Sequence, residues 1–201
     1  EHARFEATLS ENPDATVRLL ATADGFGLGW TDVKVAALEE LISLKLVEDV
    51  PIEGRILTID GRPAVGVKVT PSELKQPTEP PLDEFIELLR TGAVGSRNYP
   101  YPGLWDKKLP GQTPAVTDAE GRFRITGLGA NRIVSLVLEG EAMHHWWVLV
   151  VTRRPPAHVE EGLIARATEG GQDAYYALFE HVAQPGRTLR GVGREAETGL
   201  P

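Results

Sequence analysis

An all-β sandwich is predicted for this 201-residue chain on three observations. Short runs of alternating apolar and polar residues recur along it, Asp-Gly and Gly-rich turns separate those runs, and only one segment has clear helical spacing. Alternation with a period of two puts one face of each strand inward, and several such strands bury those faces by stacking as two sheets.

Read in order, residues 16–30 (TVRLLATADGFGLGW) form a strand run ending in the turn signal Asp24-Gly25. Residues 33–49 are ambiguous. Residues 36–41 could open a helix, but Leu41, Ser43, Lys45 and Val47 alternate with Ile42, Leu44 and Leu46, so a strand is expected over residues 41–47. Residues 52–59 are β-rich, Asp60-Gly61 turns the chain, and Val65, Val67 and Val69 alternate with Gly66, Lys68 and Thr70. This is a hairpin or a tight sheet-to-sheet corner. A proline-rich loop follows at residues 72–81. Residues 82–92 then form one short helix, with Asp83 as cap, Phe85, Ile86, Leu88 and Leu89 as apolar face and Gly92 as stop. Residues 93–117 carry four prolines and little periodicity and read as a long insertion. In TDAEGRFRITGLG, Asp118 and Gly121 make a turn that feeds Phe123 and Ile125 inward while Arg122, Arg124 and Thr126 face out. Two more strands are expected near residues 133–138 and 146–152. The predicted core is Ile56, Val67, Val69, Phe123, Ile125, Val134, Leu136, Leu138 and Val148.

Composition excludes several functions. A net charge of -8 without a Lys/Arg cluster argues against nucleic acid, whose phosphates need several cations on one face. Cysteine is absent, which removes disulfides, thiolate nucleophiles and Cys-ligated metals but leaves the compartment open. No apolar run approaches the roughly 18 residues of a membrane-spanning helix. Neither HExxH nor GxSxG occurs.

Three groups of residues could carry chemistry. Asp118 and Glu120 offer carboxylates for calcium, yet two acids in a tight turn fall short of the six to eight oxygens that ion takes, and the turn itself explains them. His144 and His145 in MHHWW are candidate metal ligands, although adjacent strand residues point to opposite faces, and one of Trp146 and Trp147 is expected to fill the core. Tyr99, Tyr101 and Trp105 are spaced by prolines and could stack on a sugar or peptide, with Trp146 as a further binding candidate, or could plug the insertion onto the sandwich. Tyr99, Tyr101, His144 and His145 also have the residue types of an iron-dependent dioxygenase-like site, but not the expected separation of ligands onto different strands.

The ordered motifs IxGRIL, DGRPAVGVKV, TDAEGRFRITGL and a strand ending near LEG resemble the carboxypeptidase regulatory-like domains, relatives of transthyretin-like and collagen-adhesin B-type sandwiches. The resemblance covers residues 50–153 and departs from the shorter members by the helix-bearing insertion at residues 72–117. It implies a Greek-key β-sandwich of transthyretin-like type, an accessory module of bacterial envelope or secreted proteins without catalytic residues or a cofactor. On this reading residues 1–49 end a preceding β unit or supply flanking strands, and residues 154–188 are a linker. Residues 189–201, which echo IEGRILTIDGRP, begin a following unit. The expected function is a non-catalytic structural or interaction module of a larger extracytoplasmic protein, with neighbouring domains as partners; capture of a glycan or peptide by the aromatic insertion is the alternative.

Overall fold

The structure is a computed structural model that describes residues 12, 14–37, 42–93, 101–105, 109–141, 143–167 and 172–186. Twelve strands and one helix follow in the order β1 (Thr16–Ala21), β2 (Gly29–Lys34), β3 (Ile52–Leu57), β4 (Lys68–Lys75), α1 (Leu82–Thr91), β5 (Gly103–Trp105), β6 (Ala115–Val116), β7 (Arg122–Ile125), β8 (Ile133–Glu139), β9 (Trp146–Val151), β10 (Leu163–Ala165), β11 (Asp173–Tyr176) and β12 (Leu178–Val182). The fold is all-β with one small helix.

Seven strands form the large sheet, in the order β10-β11-β9-β8-β4-β5 with β6 also on β4. Three form the small sheet, β12-β3-β7, and β1-β2 is a separate hairpin. The alternation seen in the sequence sends Ile52 and Ile56 of β3, Phe123 and Ile125 of β7 and Phe179 of β12 onto the inner faces of Val69, Leu74, Val134, Leu136, Leu138, Val148 and Val150. All nine residues of the predicted core are buried. Through its centre runs an aromatic stack: Tyr175 lies face-on to Phe179 at 4.6 Å between ring centroids, and Phe179 meets Phe123 edge-on at 5.9 Å.

The β3–β4 connection is the sheet-to-sheet corner, not a ladder. It makes a lone bridge between Leu57 and Pro63, and the Ala64 N–H donates to the Ile56 carbonyl at 2.9 Å. Thr117 stitches the corner shut, since its hydroxyl donates to the Ala64 carbonyl and accepts from the Val67 N–H.

The outer face of the large sheet is covered by α1. Leu82, Phe85, Ile86 and Leu89 of the helix pack with Tyr101 on Ile133, Leu149, Val151, Ala174 and Tyr176. Gly92 ends the helix in a left-handed conformation (φ 70°), and the Gly92 and Ala93 N–H groups return to Leu89 and Leu88. The N-cap is Pro81, not Asp83, whose carboxylate instead pairs with Arg153.

Three expectations are corrected. Residues 42–47 form no strand, because no neighbouring strand supplies a ladder; Leu44 and Leu46 nevertheless lie against Gly29, so their alternation records packing alone. The insertion at residues 72–117 is not separate from the sandwich: β4 runs on to Lys75, and β5 and β6 pair with it. The stretch 154–188, expected as a linker, carries β10, β11 and β12, with β11 parallel to β9 and β12 parallel to β3. Residues 189–201 lie outside the described residues.

Strand directions define two poles. The starts of β3 and β12, the end of β9 and the turn 127–131 meet at the near pole; the corner 58–67, the β8–β9 connection and the end of β12 meet at the far pole. The near pole is sealed by residues 25–30 and 44–49. The Asp49 carboxylate accepts the N–H groups of Gly127, Leu128 and Gly129 at 2.8, 3.1 and 2.9 Å. Gly27 and Gly129 approach so closely that a side chain on Gly27 would land on the Gly129 backbone. Trp30 covers the buried guanidinium of Arg132, 5.0 Å from ring centroid to the guanidinium carbon.

Replacing Phe123 by alanine removes the end of the aromatic stack from a buried site beneath the small sheet. The expected loss is roughly 3–5 kcal/mol. Urea unfolding of Phe123→Ala against the parent measures it, and a near-parental midpoint would contradict the assigned register.

Candidate functional site: a surface cleft above a buried polar cluster

A cleft of about 820 Å³ opens over the outer face of the small sheet. Its floor follows from strand register. Glu180, Arg55 and Arg122 lie opposite one another across β12, β3 and β7, and Leu178, Glu53 and Arg124 form the adjacent row. Val116 stands on one side and Pro155 and Val159 on the other. Most of the floor charges are tied: Arg55 to Glu180 at 3.4 Å, Arg124 to Glu53 at 2.8 Å, and Arg154 to the other Glu53 oxygen at 3.0 Å. Half-exposed pairs of this kind contribute at most about 1 kcal/mol each, so they order the surface more than they stabilise the fold.

Beneath the small sheet, where β11 passes into β12, lies a buried polar cluster. The Tyr175 hydroxyl is 2.9 Å from His181 Nδ1 and 3.2 Å from Asp173 Oδ2. Arg166 Nη1 donates to Asp173 Oδ2 at 3.1 Å and to the Tyr175 oxygen at 3.3 Å, and the Ala167 N–H donates to Asp173 Oδ1 at 2.7 Å. Tyr175, His181 and Asp173 are buried, while half of the Arg166 side chain remains in solvent. Burial and the adjacent Asp173 charge push the Tyr175 phenol well above its ordinary range. Burial pushes the His181 imidazole down to about 4, although Asp173 opposes the shift. The pair is therefore a neutral phenol against a neutral imidazole near pH 7, beside a carboxylate neutralised by Arg166. It has the residue types of proton-transfer chemistry, and its hydrogen bonds join the two sheets at their shared edge.

The residues singled out in the sequence are scattered. Tyr99 lies outside the described residues. Tyr101 is buried, donates its hydroxyl to the Pro80 carbonyl at 2.6 Å and meets Phe85 edge-on, so it anchors the insertion to α1. Trp105, on the edge strand β5, is 86% exposed. Trp146 is half-buried against the main core, and Trp147 is exposed with its ring edge-on to His145. His144 lies by Trp146, while His145 Nδ1 is 3.6 Å from a Glu139 oxygen. Among the described residues no three His, Asp or Glu side chains come together around a metal-sized position. Register sets Gly103 beside Lys75 and Lys75 beside Ile133, so Tyr101 lies towards the near pole, whereas His144 and His145 precede β9 at the far pole, and the six residues of β9, roughly 20 Å, separate them. That geometry contradicts a shared iron site. Asp118 is spent on its own turn, accepting the N–H groups of Glu120 and Arg122.

Sequence reasoning missed the Asp173–Tyr175–His181 cluster because it sits in the supposed linker. The signal was present in DAYYALFEHV, where Asp173, Tyr175, Ala177, Phe179 and His181 repeat every second residue.

The cluster makes stability depend on pH. His181 protonates near 6.5 in the unfolded chain and near 4 in the folded one, so between these values the unfolded state holds more protons and stability falls as pH falls. The full effect is roughly 3 kcal/mol, present above about pH 6.5 and lost by about pH 4. Urea midpoints across this window should show that slope in the parent and a flatter one in His181→Gln; parallel slopes would exclude His181 as the cause.

No protein-family description matches the chain, and no curated protein matches it either. The functional reading therefore rests on its own residues.

Proposed function

We propose that this chain is a non-catalytic interaction module of a larger, extracytoplasmic bacterial protein, built as a carboxypeptidase regulatory-like sandwich of Greek-key, transthyretin-like type. Its partners on this reading are neighbouring domains of the same polypeptide. The observation that carries the proposal is the open cleft on the small sheet, with ion-paired charges across its floor and Leu178 and Val116 at its margins. A sheet face that combines exposed apolar side chains with preordered charges suits docking of another folded surface or an extended segment. The acids and the histidine with the strongest chemical potential support the same reading, because Asp49, Asp118, Asp173 and His181 are each engaged in holding backbone or joining sheets.

Amide exchange of the chain alone and within its longer polypeptide tests this. Added protection along β7 and β12 is the expected outcome; unchanged exchange across the small sheet would sink the docking reading.

A second reading, capture of a glycan or peptide by the insertion, is favoured by Trp105, whose indole is almost wholly in solvent on an edge strand. Trp105→Ala should leave the melting temperature nearly unchanged, since it removes almost no buried surface. If the insertion binds, the same variant abolishes the ligand-induced fluorescence change on a glycan or peptide panel. A parent protein silent across that panel would leave Trp105 without this role.

A further inference from the structure

Arg132, just before β8, breaks the rule that the other arginines follow. Among the described residues every other arginine except the solvent-exposed Arg122 pairs with a carboxylate, and each keeps much of its side chain in water. Arg132 is 5% exposed, and its Nε and Nη1 are shut off from water with no acceptor among the described residues. Nη2 is the guanidinium nitrogen left at the surface. The face of Trp30, 5.0 Å away, is the compensating contact. A cation–π contact offsets only part of what it costs to take an ion out of water, and buried charges are ordinarily paired. Burial lowers the Arg132 pKa, and no acidic neighbour opposes the shift.

We propose that Arg132 and Trp30 form a binding site for a small free monocarboxylate, which the guanidinium holds through Nη2 and one of its two buried nitrogens. Three observations select that chemistry. A guanidinium offers two usable edges, Nε with Nη2 and Nη1 with Nη2, and each matches the two oxygens of a carboxylate. In Arg132 both edges combine a buried donor with the nitrogen that an incoming anion reaches first. The charge is single: no second cation accompanies Arg132, and Asp49 holds the adjoining Gly127–Gly129 turn with its own negative charge. A monoanion neutralises the site, whereas a phosphate dianion would leave excess negative charge beside Asp49 in a chain of net charge -8. The cation is also held in place. The Arg132 N–H donates to Thr152 Oγ1 at 2.7 Å and its carbonyl accepts the Thr152 N–H at 2.9 Å, so little backbone freedom remains to be lost on binding.

Sodium acetate is the probe, compared with sodium chloride at equal ionic strength. In the parent, acetate should raise the melting temperature saturably above its value in chloride and change tryptophan emission, and Trp30→Phe should remove the emission change. Arg132→Met should weaken acetate binding by about tenfold or more. In chloride that variant should melt no lower than the parent, because an apolar side chain of similar length replaces an unpaired buried charge. A parent that melts alike in both salts, or a methionine variant that responds as the parent does, would overturn the proposal. So would a response that appears only after Glu39→Gln with Glu40→Gln, since those residues, which lie outside the described residues, would then supply the carboxylate themselves. Should Arg132→Met fail to fold, the Arg132 Nε–H proton resonance of the parent, shielded from exchange by burial, decides alone. A saturable shift with acetate and none with chloride upholds the site, and a resonance indifferent to both removes it.

Discussion

Ala177 is the point on which the two sheets depend. It is wholly buried and separates β11, in the large sheet, from β12, in the small one. Its N–H donates to the Arg153 carbonyl just past β9 at 2.9 Å, and its carbonyl accepts the Glu53 N–H of β3 at 2.8 Å. One residue thereby continues two parallel ladders, β11 on β9 and β12 on β3, while turning the chain from one sheet into the other. A buried peptide group at such a corner must find partners, and here the edges of both sheets provide them. Alternation then places Tyr175 and Phe179 on either side of Ala177 in the core, and His181 next along the same face. The aromatic stack and the polar cluster are both consequences of where that switch occurs.

The same economy operates at the near pole, where Asp49 does the work that an extra strand could have done. Three successive N–H groups of the Gly127–Gly129 turn have no ladder partners, and a single carboxylate accepts all of them. Holding that turn positions Thr152, which accepts from the Arg132 N–H and donates to the Gly129 carbonyl. Arg132 itself is an expensive neighbour: Nε and Nη1 are buried without acceptors among the described residues, and burial lowers its pKa. The face of Trp30 is the compensation that the geometry offers. This ties the hairpin β1–β2 to the sandwich, so the first strands belong to the same packed unit as the rest.

How far the fold was legible depends on which partner each residue needed. Strands β3 and β7 were readable because one face is buried and the other is not, so period two is the direct imprint of burial, whereas β8 and β9 were readable as apolar runs buried on both faces and β4 only over its first half. The helix was readable from Phe85, Ile86 and Leu89, although its first turn was misassigned because the sequence gives no sign that Asp83 faces Arg153. Residues 42–47 show the converse failure, with alternation intact and no ladder. Residues 154–188 failed for a different reason. β11 and β12 are short and pair in parallel with β9 and β3, so no local turn announces those pairings. The site suffered with them. Motif reasoning looked to conspicuous aromatics and adjacent histidines, whereas the closest set of interacting titratable groups lies in a run whose significance only tertiary pairing reveals.

That distribution of polar groups bears on function more than any single residue does. A catalytic centre needs its acid, base or ligand to reach a substrate, and hydrogen bonds that satisfy those groups internally leave less capacity for the reacting atoms. Here Asp173, Tyr175 and His181 hydrogen-bond one another between the sheets, with the half-exposed Arg166 bridging Asp173 and Tyr175, and Asp49 and Asp118 accept backbone N–H groups. On the docking reading proposed above, the interaction capacity lies on the ion-paired rows of the small sheet and the exposed side chains of Leu178 and Val116 beside them. Docking of that kind combines charge complementarity with dehydration, and both require a rigid presenting scaffold. The Ala177 switch and the Asp49 clamp supply that rigidity, so on the proposed reading the residues most like catalysts in type are the ones that hold the sheets in place.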